Sequence, residues 1–142
     1  MKFCAYQERC QSEVRSKLYD LKVYQNDLEN IICELIEQNF LNEERFAQLF
    51  CRGKFTQKGW GKIKIVNQLK FKQVSAYCIK KGLQEIEEEA YYNQCKKWIE
   101  KKKKELEVKE PNQYILNNKV GIYVISKGFE PDLVWQIINE QK

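Results

Sequence analysis

Arg52, Lys54, Lys58, Lys62, Lys64, Lys70, Lys72, Lys80 and Lys81 follow one another along the chain with no Asp or Glu between the first and the last. A stretch of this kind attracts an anionic partner, either the phosphates of a nucleic acid or an acidic protein surface. Gly59-Trp60-Gly61 interrupts it with an aromatic in a turn, a residue type that stacks on bases or anchors an interface. On a helix over about 62–73, Ile65, Val66 and Leu69 share one face, while Lys64, Asn67 and Phe71 group on the other. The alternative is an ordinary solvated face, with Trp60 and Phe71 filling the seam between neighbouring units of the fold.

Other chemistries find little support. The chain has no histidine, no Gly-x-x-x-x-Gly-Lys-Ser/Thr loop and no Gly-x-Ser-x-Gly elbow, so no catalytic residues are expected. Cys4, Cys10, Cys33, Cys51, Cys78 and Cys95 are widely spaced, with no Cys-x-x-Cys pair, which argues against zinc and against a disulfide framework. They read as small apolar side chains. Glu85, Glu87, Glu88 and Glu89 point to different sides of a helix and mark a solvated start, not a metal site. Lys101 to Lys104 are flanked by Glu100, Glu105 and Glu107. The pairs Glu100 with Lys104 and Lys101 with Glu105 fit a solvated helix.

The elements that must position the basic residues are helices. Only two prolines and six glycines interrupt 142 residues of which 32% are charged, a composition poor in strand and turn punctuation. The net charge of +5 permits an anionic partner without demanding one. The N-terminus lacks the apolar run of a signal peptide, and no window approaches the roughly 20 apolar residues of a membrane span, so a reducing cytoplasm is the expected setting. No cofactor, metal or membrane is expected, and the chain reads as a monomer.

A threefold repeat organises the apolar residues. Its copies are Val14, Leu18, Val23, Leu28, Ile32; Ile65, Leu69, Val74, Ile79, Leu83; and Val120, Val124, Phe129, Val134, Ile138. The steps are four, five, five and four in each. Steps of four stay on one helix face, and two successive fives break the phase, so each copy predicts two helices joined at a turn near its third residue. Ser75 suits an N-cap, Gly128 a left-handed helix end and Pro131 a first helical turn. Further amphipathic stretches precede the second and third pairs: Phe46, Ala47, Leu49, Phe50 behind the candidate cap Asn42, and Ala90, Tyr91, Cys95, Trp98 behind Glu87 to Glu89. The expected fold is all-α: three tandem three-helix repeats in an elongated, curved stack, over residues 1–41, 42–86 and 87–142. A short opening helix is expected at 2–9.

With the repeats in place, Glu44-Arg45-Phe46-Ala47 followed by Arg52, Lys58, Gly59, Gly61, Ile65, Leu69 and Lys72 resembles the central signature of RecX regulatory proteins. Tyr6, Arg9, Cys10, Ser12, Glu13, Val14, Lys17 and Leu18 look like the first repeat of that family. Lys127-Gly128-Phe129 with Asp132, Leu133 and Val134 looks like its last. The sequence departs where the family often has glycine after the lysine ending the central helix: Gln73 follows Lys72. The resemblance implies a protein that lies in the groove of a RecA filament on DNA and restrains its ATP hydrolysis, strand exchange and extension. The expected partner-binding set is then Arg52, Lys54, Lys58, Trp60, Lys62, Lys64, Lys70 and Lys72. The rival reading is a helical module that uses all nine basic residues from Arg52 to Lys81 on single- or double-stranded DNA without a recombinase.

Overall fold

The computed structural model describes residues 8–141, so the expected opening helix at 2–9 falls largely outside the described residues, as does Cys4. Eight helices and no strand are described: α1 (Gln11–Asp20), α2 (Gln25–Glu37), α3 (Glu43–Lys58), α4 (Lys62–Phe71), α5 (Ala76–Leu83), α6 (Glu88–Glu107), α7 (Gln113–Ser126) and α8 (Pro131–Glu140). The all-α, tandem three-helix expectation holds. Every residue of the fifteen-position repeat is buried except Val23, Leu28 and Leu83, which are half-buried.

The step pattern has a local physical origin. In each copy the first step of five joins the residue three from the end of one helix to the residue two beyond its cap. These are the positions that touch in a Schellman termination. Val23 N–H donates to the Leu18 carbonyl at 2.9 Å and Val74 N–H to that of Leu69 at 3.1 Å. The inner bond of the motif recurs in all three copies: Lys22 N–H to Tyr19 O, Gln73 N–H to Lys70 O and Gly128 N–H to Ile125 O, each at 2.9 Å. The second step of five joins the residue before the next N-cap to the fourth helical residue, the pair that forms a hydrophobic staple. With N-caps at Tyr24, Ser75 and Glu130, those pairs are Val23–Leu28, Val74–Ile79 and Phe129–Val134. One apolar residue thus closes a helix behind it and opens the next.

The expected caps are in place. Ser75 accepts from Cys78 N–H at 3.2 Å, Asn42 from Arg45 N–H at 2.9 Å, and Pro131 opens α8. Helix α4 ends at Phe71, short of the expected 73, because Lys72 and Gln73 form the turn.

The turn residue before each stapling position is left-handed: Lys22 at φ 63°, Gln73 at φ 62° and Gly128 at φ 101°. Only the third copy has glycine there, and an L side chain in this region costs on the order of 1–2 kcal/mol. Lys22 and Gln73 are exposed, so their side chains give nothing evident in return. Gln73→Gly and Lys22→Gly are each expected to stabilise the protein by about 1 kcal/mol. The measurement is the urea midpoint at constant m-value, and an unchanged or lower midpoint contradicts it.

Packing divides the chain into two compact units. Unit one comprises residues 1–53 and 67–85, unit two residues 54–66 and 86–142, and the middle repeat contributes to both. In unit one, Val14, Leu18, Ile32, Leu35 and Leu41 form one core cluster. Gly82 packs so closely on α3 that an added Cβ would lie 2.7 Å from the Ala47 carbonyl oxygen. In unit two, α6, α7 and α8 pack on one another around Cys95, Ile99, Leu116, Val120, Val124, Phe129 and Val134.

Candidate binding surface

The turn between α3 and α4 is fixed by a set of backbone bonds within unit two. Gly59, left-handed at φ 67°, donates to Phe55 O at 3.0 Å, and Trp60 N–H to Lys54 O at 3.2 Å. The first amides of α4, which no intrahelical carbonyl can satisfy, find three partners. Gly61 N–H donates to Lys127 O at 2.8 Å, Lys62 N–H to the Tyr91 hydroxyl at 2.9 Å and Ile63 N–H to Gly128 O at 2.9 Å. Tyr91 in turn donates to Glu130 Oε1 at 2.5 Å. Burial, and then this bond to Glu130, push the Tyr91 phenol well above its ordinary range, so it stays protonated and keeps donating.

This clamped turn presents Trp60, half-buried, between two lysines: Lys54 Nζ lies 5.1 Å and Lys64 Nζ 4.5 Å from its ring centroid. Lys62 Nζ lies 4.6 Å from the Tyr91 ring. A cation held over an aromatic face is drawn to the negative face of the ring and ordered there. Lys58 is exposed at the end of α3. Unit two therefore holds Lys54, Lys58, Trp60, Lys62 and Lys64 of the expected set, with Lys54, Trp60 and Lys64 in one stack.

The rest of the expected set belongs to unit one. Arg52 pairs with Glu85 at 3.2 Å. Lys72 pairs with Glu13 at 3.4 Å, and its carbonyl accepts from the Ser12 hydroxyl at 2.5 Å. Burial alone would raise the Glu13 carboxyl, but bonds from the Cys10 amide and thiol, with Lys72 beside it, hold it below the usual carboxylate range. Lys72 thus ties the second repeat to the first, Arg52 ties α3 to the end of its own repeat, and much of the charge of both is already compensated. Lys70 is exposed, and Phe71 is 85% exposed, so Phe71 does not plug a seam within this chain.

Two aromatics were invisible to the linear reading of the basic stretch. Trp98 donates its indole N–H to Gly59 O at 2.9 Å, and Tyr123 lies 6.2 Å from it, ring to ring. Lys101 and Lys127 stand 5.6 and 5.0 Å from the Trp98 centroid, and Lys102 4.2 Å from that of Tyr123. The ion pair in this run joins Lys102 to Glu105 at 3.1 Å; the expected i,i+4 pairs are not the ones formed. The signal was available as the i,i+3 spacing of Trp98 and Lys101, but Lys127 and Tyr123 come from a different helix end.

The three buried thiols, Cys10, Cys51 and Cys95, are held protonated and offer no ready nucleophile. Burial, assisted by Glu85, pushes Cys51 up to about 12, and burial with Glu130 does the same for Cys95. Burial also raises Cys10. Among the described residues, no cluster of His, Cys, Asp or Glu could hold a metal, and no helix is long and apolar enough to cross a membrane.

Residues 42–83 match the family of the RecX second three-helix domain. The regulatory protein RecX of Clostridium perfringens (strain 13 / Type A) is 29% identical over 131 residues, 92% of this chain and 61% of the relative. That of Clostridium botulinum (strain Eklund 17B / Type B) is 30% identical over 133 residues, 93% of this chain and 61% of the relative. The chain thus spans about three fifths of the length of these relatives. In fold it is similar to the crystal structure of RecX from Lactobacillus salivarius, with a TM-score of 0.88 at 22% identity over 98% of this chain and 89% of that one. A second crystal structure, of regulatory protein RecX, gives 0.87 at 20% identity, covering 97% and 68%. In its central signature, its threefold helical repeat and its likeness to relatives of that name along nearly its whole length, the chain is similar to the RecX family, with residues 42–83 matching that family's second three-helix domain.

Proposed function

We propose that this protein binds a RecA recombinase filament on DNA and modulates it, mostly by inhibiting ATP hydrolysis, strand exchange and filament extension. It acts as a regulator and not as an enzyme. The observation that carries this reading is the likeness to proteins named regulatory protein RecX along more than nine tenths of the chain. The site supports it physically. Lys54 and Lys64 on Trp60, with Lys58 and Lys62 nearby in sequence, present ordered positive charge around a large aromatic, a combination that anchors protein interfaces. A filament repeats its binding surface, so several modest contacts made together raise the effective concentration of each and yield tight binding without a deep pocket.

The test is ATP hydrolysis by a RecA recombinase on single-stranded DNA, titrated with the native chain and with a Lys64→Glu/Lys70→Glu variant. Inhibition by substoichiometric native protein is expected, with a loss of at least tenfold in potency for the variant at unchanged helicity. No inhibition by the native chain on an active filament refutes the filament reading. Equal inhibition by both rejects the surface while leaving the partner.

A further inference from the structure

We propose that unit two carries a second binding site, for the phosphodiester backbone of a nucleic acid, in the recess between the end of α3 and the middle of α6. The recess holds about 260 Å³ and is lined by Lys58, Lys97, Lys101, Gln57, Gln94 and Trp98 among others, with no carboxylate in its wall. Trp98 forms a fixed side of it, because its indole N–H is bonded to Gly59 O at 2.9 Å. Gly59 admits this close approach: a Cβ there would lie 2.9 Å from the indole nitrogen and 2.8 Å from Gln94 Nε2.

The state of the charges distinguishes this recess from a solvated helix face. Among the described residues no ion pair engages Lys58, Lys97, Lys101 or Lys127, whereas Lys102 and Lys119 are both paired to glutamates. Lys101 and Lys127 are ordered over Trp98, so part of the side-chain entropy of binding an anion is already spent while their charge is undiminished. All the cations are lysines, compact charges with rotatable donors that suit phosphate oxygens approaching from varied angles. A site built for side-chain carboxylates would favour the planar fork of arginine. A groove of positive charge beside aromatic rings is the arrangement that tracks a nucleic-acid strand with little regard to sequence. The inference deepens the proposed function by giving the regulator its own grip on DNA, and rests on that function only for its setting.

The test needs no recombinase. Fluorescence anisotropy of a labelled 15-nucleotide oligodeoxythymidine, and of a 15-base-pair duplex, is titrated with the native chain, with Lys97→Gln/Lys101→Gln, and with the charge-matched control Lys22→Gln/Lys109→Gln, each checked for native helicity. The Lys97/Lys101 variant is expected to lose at least tenfold in affinity, while the control stays within about twofold. On the single strand its salt slope should fall by about 1.4, two phosphate contacts at about 0.7 each. The two probes tell which strand form supplies the phosphates. Native-like affinity and slope in the variant overturn the site. So does polyglutamate of matched charge binding as tightly as DNA with the same loss in the variant, which would assign the recess to an acidic protein. Filament ATPase on the same variant separates the readings: inhibition absent even from the native chain removes the filament function and leaves the DNA site standing.

Discussion

Gly61→Ala is expected to destabilise the protein by about 3–5 kcal/mol, one of the largest effects of any single methyl added to this chain. The new Cβ would lie 2.2 Å from the Gly128 carbonyl carbon, 2.3 Å from its oxygen and 2.3 Å from Phe129 N. All three are backbone atoms, so no side chain can swing aside, and overpacking of this kind typically costs about 1–3 kcal/mol on its own. Relief by separation would also break the bonds from Gly61 to Lys127 and from Ile63 to Gly128, leaving amides without partners at about 1–3 kcal/mol each. Gly53→Ala is the counterpart. Gly53 lies within α3 and nothing stands within 4 Å of an added Cβ, so alanine's better helix propensity should raise stability by about 0.5–1 kcal/mol. Urea unfolding read by circular dichroism gives both signs. The fluorescence of Trp60, Trp98 and Trp135 reports the damage at Gly61, since all three lie in unit two. A Gly61→Ala protein as stable as the native one would mean that the α4 start is not clamped by the third repeat.

What the sequence disclosed, and what it hid, follow from how local the underlying interactions are. The 4-5-5-4 spacing is made of contacts between residues four or five apart, so it is written in the chain, and the turn between the last two helices of each repeat follows from it. Ser75, Asn42 and Pro131 could be assigned for the same reason. Of the basic stretch only the charge was legible. Whether each cation is free or compensated depends on residues far away in the chain: Glu13 meets Lys72 and Glu85 meets Arg52 across the helices of unit one. Tyr91 was visible as an apolar residue of α6. Its hydroxyl, which caps α4 and is anchored by Glu130, joins three segments that no periodicity connects. The Gln73 departure was noticed as a sequence difference; the backbone keeps the glycine-like conformation, and the side chain bears the strain.

The three stapling residues supply the second large effect, and a graded one. Phe129, Val74 and Val23 hold the same place in their repeats, each closing one helix and opening the next, but they differ in what truncation removes. Phe129 is 0% exposed and its ring lies 5.0 Å from that of Tyr91, which itself lies 6.0 Å from Phe55. Phe129→Ala therefore empties a site walled on one side by the Tyr91 ring, which is held by its hydroxyl's own bonds and has little freedom to collapse inward. The expected cost is about 3–5 kcal/mol. Val74 is 6% exposed and loses two methyl groups on truncation, about 1.5 kcal/mol at roughly 0.8 per buried carbon, while half-buried Val23 should lose about half of that. Urea midpoints measured on the three alanine variants should fall in the order Phe129, Val74, Val23. Equal losses at the three positions would mean that the staple is mainly a backbone device, set by the left-handed turn and its hydrogen bonds. The graded order would mean that burial of this side chain decides how firmly each repeat is closed, and that the third repeat, with phenylalanine and glycine at its turn, is the one the sequence has fixed most tightly.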